Sequence, residues 1–208
     1  MKKLFACAIA WLFVAHFSYG QVAARVFYYQ PTGEFGFAMK PLVSAELSYQ
    51  DRFSKRETKR WRYGFSAIIL NMKPRMEVFP VYGVLSDGNG TRVLPGEQSF
   101  QRYFIVQLAG GADFAFLHQR DFNVFAGADI LVGGASVDYT AVYPGFKDES
   151  YQGGGILGGF RFRLGAEYSF GDHISAFFTA NRSVFLITDP AAIPWAVDYG
   201  LGLRYSFD

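Results

Sequence analysis

Nine charged residues carry most of the chemistry available to this sequence: Glu46, Arg62, Asp113, Asp129, Arg161, Arg163, Glu167, Asp198 and Arg204. Each alternates with apolar neighbours, so on an extended chain all nine fall opposite the aromatic side chains. Carboxylates and guanidinium groups at that density must pair if they are buried. The expected arrangement is therefore a salt-bridged filling. A sharper alternative makes Arg161, Arg163 and Glu167, stacked on one face, the centre of a narrow polar conduit or small-ligand site. A second set is His173-Ile174-Ser175, a base and a hydroxyl two residues apart, with Glu167 across a hairpin as a carboxylate to orient the imidazole. That combination suits acyl hydrolysis of a lipid.

Metal chemistry has little to work with. His118 and His173 are the only histidines beyond the first twenty residues, and the single cysteine is Cys7. No transition-metal ligand set follows from these, and no cofactor is expected. The glycines Gly153 to Gly155, Gly158 and Gly159 open a strand, not a helix, so they are no phosphate loop. They suit close approach of another backbone or a docking partner.

Period-two alternation positions these residues. Between 155 and 170, Ile156, Phe160, Phe162, Leu164, Tyr168 and Phe170 share one face, while Arg161, Arg163, Glu167 and Ser169 share the other. Helical spacing would mix the two sets. The last segment sets Val197, Tyr199, Leu201, Leu203, Tyr205 and Phe207 against Asp198, Gly200, Gly202, Arg204 and Ser206. The same pattern predicts strands over 35–50, 61–70, 100–116, 122–138 and 173–187. In the first of these Pro41 predicts a kink or a delayed start. An eighth strand, interrupted by Pro80, falls around 76–85.

The chain has 208 residues, half of them hydrophobic and 19% aromatic, with only 18% charged. That composition suits a surface facing lipid. Lys2 and Lys3, the uncharged run Leu4 to Phe17, and Ser18-Tyr19-Gly20 read as a cleaved signal peptide over 1–20. Its loss removes two of the 20 basic residues, leaving parity with the 18 acidic ones. A nucleic-acid partner then has no electrostatic basis. No stretch is long enough to cross a bilayer as a helix.

Connections between these strands alternate long and short: 51–60, 86–99, 139–153 and 188–195 are long, and 71–75, 117–121 and Gly171-Asp172 are short. Outer-membrane barrels have short periplasmic turns, longer external loops and an even strand count. The expected fold is all-β, a transmembrane antiparallel up-and-down barrel of eight strands over 33–208, preceded by a periplasmic segment over 21–32. The outward Trp61, Tyr63, Tyr168, Tyr199, Tyr205 and Phe207 fit interfacial aromatic girdles. The loop 51–60, with Lys55, Arg56, Lys59 and Arg60 against Asp51 and Glu57, is expected as a solvated external loop, with contact to anionic lipopolysaccharide phosphates as the alternative. His173, by contrast, falls at a periplasmic turn, away from outer-leaflet lipid.

This architecture resembles the small eight-strand outer-membrane family, the group of the OmpA transmembrane domain and OmpX. The terminal Leu203, Tyr205 and Phe207 look like the alternating signal that the barrel-assembly machinery reads in that family. There the aromatic is usually last, whereas here Asp208 follows. The resemblance implies an outer-membrane location and, as partners, membrane lipid and lipopolysaccharide, the assembly machinery and other outer-membrane proteins. It brings no peptidoglycan-binding domain. The expected role is structural or interactive, non-enzymatic, as an accessory component of a cell-envelope assembly without an open pore. A deacylase-like lipid-modifying enzyme and a narrow channel are the alternatives.

Overall fold

A computed structural model describes residues 20–51, 60–86, 91–187 and 195–207. The expected signal peptide thus lies almost wholly outside the described residues, as do Lys55, Arg56 and Lys59. In chain order the elements are β1 (Gln21–Thr32), a short helix α1 (Glu34–Ala38), β2 (Leu42–Gln50), β3 (Trp61–Met72), β4 (Phe79–Ser86), β5 (Thr91–His118), β6 (Phe122–Val142), β7 (Glu149–Ser169), β8 (Ile174–Ile187) and β9 (Trp195–Ser206).

All neighbouring strands are antiparallel, and the sheet closes on itself. β1 pairs with β9 from Gln21↔Ser206 to Thr32↔Trp195. β3 skips β4 and pairs with β5 from Trp61↔Phe114 to Met72↔Tyr103. The wall therefore consists of the eight strands β1, β2, β3 and β5 to β9. The even count puts both termini at one end, where Phe207 N donates to Gly20 O.

The count of eight matches the expectation, but its membership does not. Residues 21–32 are the first wall strand, not a periplasmic segment. The strand expected around 76–85 is real, as β4, yet among the described residues it pairs only with the outer part of β5 and stands outside the wall. Pro80 is tolerated there because an edge strand can spare a ladder hydrogen bond. The strand expected over 35–50 begins at Leu42, after Pro41, with α1 before it. The predicted loops 86–99 and 139–153 are largely strand, since β5 starts at Thr91 and β6 runs to Val142.

These changes move one connection. Counting β1 as a wall strand places Asp51 and Arg60 at the end that carries Gly20 and Phe207, with the links 119–121 and 170–173. The opposite end carries 33–41, β4 and 143–148. Asp51 and Arg60 therefore share the end that carries Gly20 and Phe207, whereas the sequence pattern grouped this connection with the opposite one.

Beyond the barrel rim, β4 and the outer parts of β5, β6 and β7 continue as a four-stranded sheet. A row of rings crosses it: Phe79 to Phe100 at 5.5 Å, Phe100 to Tyr139 at 5.9 Å, and Tyr139 stacked on Tyr151 at 4.9 Å. Such cross-strand aromatic pairs stiffen a sheet.

Candidate functional site

The lumen collects the charged residues because alternate positions of every wall strand point inward. All nine predicted positions face it, eight of them buried and Arg163 partly so. The structure adds a tenth, Arg25 on β1, 3% exposed. The sequence pattern does not reveal it, because 21–32 reads there as a segment ahead of the barrel. The signal was present in Gln21, Ala23 and Arg25 alternating with Val22, Ala24 and Val26, but Val26 to Tyr29 are all apolar or aromatic and blur the period.

The ten side chains form one alternating chain of acid and base. Asp198 binds Arg25 at 2.8 Å, and Arg25 binds Glu46 at 2.8 Å. Glu46 binds Arg161 at 2.9 Å, and Arg161 binds Asp129 at 2.6 Å. Asp129 meets Arg163 at 2.5 Å, and Arg163 reaches Asp113 at 3.5 Å. Asp113 binds Arg62 at 2.9 Å, Arg62 binds Glu167 at 2.7 Å, and Glu167 takes Arg204. The ends are also held: Asn181 donates to Asp198 at 2.9 Å, and Arg204 donates to Gln50 at 2.8 Å. Every carboxylate in the run contacts at least one arginine, so the charges cancel within the lumen, as buried ions must.

Aromatic rings fill the gaps. The guanidinium of Arg25 lies 4.6 Å from the Phe27 ring, that of Arg62 4.6 Å from Phe125, and that of Arg204 4.7 Å from Phe177. Glycines make the room. A methyl at Gly127 would stand 2.0 Å from Asp113 Oδ1, and one at Gly202 would stand 2.3 Å from the Phe177 ring.

Towards the far end the lumen changes character. Phe27, Tyr29, Ile68, Leu70, Met72, Tyr103, Ile105, Leu131, Leu157 and Phe185 close it as an apolar plug. Met39, 1% exposed, enters this cluster from the connection between α1 and β2. It is pinned there by its bridge to Pro74 and by Arg75 N donating to Ala38 O. Sequence alternation implied no such layer, because both faces of the strands are apolar at this level.

The hydrolase set does not assemble. Ser175 is buried in the lumen, its hydroxyl 3.1 Å from that of Ser169. His173 lies at the terminal rim, where its ring stacks on Tyr205 and its Nδ1 lies 3.3 Å from Ser206 O. Glu167 is held by Arg62 and Arg204 and cannot orient that imidazole. Among the described residues, no three His, Cys, Asp or Glu side chains cluster as metal ligands.

On the outer wall Trp61, Tyr63, Tyr168, Tyr199, Tyr205 and Phe207 are all exposed. Trp61, Tyr63, Tyr168, Tyr205 and Phe207 ring the terminal end; Tyr199 belongs to the other, where it pairs with Tyr28. Leu203, Tyr205 and Phe207 share the outer face of the last strand.

No family model matches the chain. No curated protein matches it in sequence. Solved structures do. Neisserial surface protein A aligns over 90% of this chain and 97% of its own, with a TM-score of 0.58 and 15% identity. Ail of Yersinia pestis (TM-score 0.44, 10% identity, 91% of this chain and 97% of its own) and the N-terminal barrel domain of Pseudomonas aeruginosa OprF (0.44, 11%, 90% and 97%) resemble it more loosely. The first of these likenesses carries a conclusion, and at that identity the conclusion concerns architecture: the chain has the fold of a small eight-stranded outer-membrane β-barrel.

Proposed function

We propose that this barrel sits in the outer membrane as a closed, non-enzymatic element that attaches other envelope proteins through its protruding sheet. The observation that carries this reading is the filled lumen beneath a sheet whose outer edge is unpaired among the described residues. Ten charges, each in at least one ion pair, occupy one half of the hollow and an apolar plug the other. That filling supports a structural role over the narrow channel and over the deacylase alternative.

The surface for attachment lies beyond the rim. β4 offers its outer edge to a further strand, and edge strands are templates for pairing with another chain. Tyr82 and Val84 on β4 are each 71% exposed, and Val93 opposite Val84 is 63% exposed. Exposed apolar groups of this kind on a stiff sheet mark a contact surface. The outer aromatic rows and the apolar wall between them suit lipid contact, with the terminal Leu203, Tyr205 and Phe207 serving the assembly machinery. An accessory place in a larger envelope assembly follows from this reading.

Two measurements test it together. In planar bilayers the purified barrel should give no discrete conductance steps. In native gels of extracted outer membranes, removal of residues 76–101 should shift the protein to a smaller species while the barrel stays folded. Steady conductance, or an unchanged complex without the protruding sheet, would overturn it.

A further inference from the structure

The barrel wall is not continuous between β2 and β3. Their ladder runs from Gln50↔Gly64 to Ala45↔Ile69 and then stops. Contact resumes only at Met39↔Pro74 and where Lys40 N donates to Lys73 O at 2.8 Å. Residues 40–44 lie opposite residues 70–73, one residue more on the β2 side, so the two segments bow apart. Each keeps its other neighbour: β1 follows β2 to Tyr29↔Leu42, and β3 follows β5 to Met72↔Tyr103. Ser44 Oγ donates to Ile69 O inside the gap.

The parting opens a slot of about 610 Å³ on the outer, lipid-facing surface, within the usual range of ligand pockets. Its length is apolar, with Val43, Ala45, Ala67 and Ile69 along it. The small Ala45 and Ala67 leave depth that Leu or Phe would fill. At its inner side Leu42 packs against the apolar plug. One end carries Lys40 and Lys73, both exposed, and no acidic residue lines the slot among the described residues. The level is that of the Tyr28–Tyr199 pair, the aromatic row farther from the termini, because Val43 pairs with Tyr28.

We propose that this slot binds one phosphate-bearing acyl lipid of the leaflet away from the termini. An acyl chain lies against Val43, Ala45, Ala67 and Ile69, and the phosphate sits between Lys40 and Lys73. The physical reason is twofold. Backbone groups that face hydrocarbon must find partners, and a gap in the ladder is tolerable where a lipid headgroup supplies them. Two ammonium groups at the mouth of an apolar trough select an anion joined to a chain, since phosphate accepts charge-assisted hydrogen bonds from both. The inference rests on the barrel being embedded in a membrane, as proposed above.

The test uses the processed protein, refolded in a zwitterionic detergent and examined by native mass spectrometry. Dioleoyl phosphatidic acid, dioleoyl glycerol and inorganic phosphate are the probes. One phosphatidic acid should be retained, and neither of the others. Substituting both lysines (Lys40→Gln with Lys73→Gln) should weaken retention at least about tenfold, since even one lost charged hydrogen bond accounts for that factor. Ala67→Leu, which fills the trough and leaves both lysines, should weaken it as well. Equal retention by the wild type and both variants would overturn the proposal, as would equal retention of the phosphate-free lipid or displacement by free phosphate. Folding is scored separately by heat-dependent gel migration. A chain that never forms a compact band in detergent refutes the membrane reading; a folded chain that ignores these lipids refutes the slot.

Discussion

Removing Asp129 and Arg163 together should harm this barrel less than removing either alone. Asp129 sits in the middle of the alternating chain, 2.6 Å from Arg161 and 2.5 Å from Arg163. In Asp129→Leu the run from Arg163 through Asp113, Arg62 and Glu167 to Arg204 keeps three arginines and two carboxylates, an excess positive charge. In Arg163→Met the run from Asp198 through Arg25, Glu46 and Arg161 to Asp129 keeps three carboxylates and two arginines, an excess negative charge. Leaving one buried charge unpaired costs about 3–5 kcal/mol, so each single variant should lose that much. With both replaced, two neutral runs remain, and apolar replacement of a whole buried pair is often close to neutral. The coupling should therefore exceed about 3 kcal/mol.

The pairing is specific, which sharpens the test. Asp129→Leu with Arg161→Met leaves one negative and one positive run, so rescue should be weaker than with Arg163→Met. The same cycle separates a plug from a conduit. At 2.5 Å the pair is worth about 6.6 kcal/mol at an effective dielectric of ~20, but only about 1.7 kcal/mol in bulk water. Equilibrium urea unfolding in phospholipid vesicles, followed by Trp61 and Trp195 fluorescence, gives the four free energies. A coupling below about 1 kcal/mol, or equal rescue by the two double variants, would refute a dry, chain-like network.

Other outcomes follow from the same structure. Gly127→Ala should cost about 1–3 kcal/mol in that unfolding assay, because the methyl meets Asp113 Oδ1 at 2.0 Å. Gly134→Ala, with 3.6 Å to its nearest neighbour, should cost less than about 1 kcal/mol. Met39→Ala should destabilise by about 2–5 kcal/mol yet leave the barrel electrically silent in planar bilayers, since the ion pairs beneath still fill the hollow. Joining Arg75 to Arg102, which deletes β4 and the outer part of β5, should preserve the heat-dependent gel shift, whereas deleting residues 21–32 should abolish it. Phe207→Ala should slow insertion into proteoliposomes carrying the assembly machinery, with stability in preformed barrels changed less than the rate.

Alternation was a dependable guide wherever one face of a strand meets ions and the other meets lipid. That holds for Arg161, Arg163 and Glu167 on β7 and for Asp198 and Arg204 on β9, where polarity alone tells inside from outside. It fails on β1 after Arg25, since Val26, Phe27, Tyr28 and Tyr29 put apolar groups on both faces. Losing that strand hid Arg25, one of the ten charges. It also moved Asp51 and Arg60 to the opposite end of the barrel from the one expected. The hydrolase set illustrates the same limit differently. His173 and Ser175 are two residues apart, so a strand sends both side chains to the same side, yet His173 precedes β8 and lies at the rim by Tyr205.

From the sequence alone came the architecture, the strand count and the side of the wall that nine of the ten lumen charges occupy, because these depend on local periodicity and composition. Which strands close the ring was decided only in three dimensions, since β3 chooses β5 over β4 through contacts far apart in sequence. The order of the charges along their chain was decided there too. Side chains from different strands meet across a lumen too narrow to hold them unpaired, and register, not residue type, sets which carboxylate each arginine reaches.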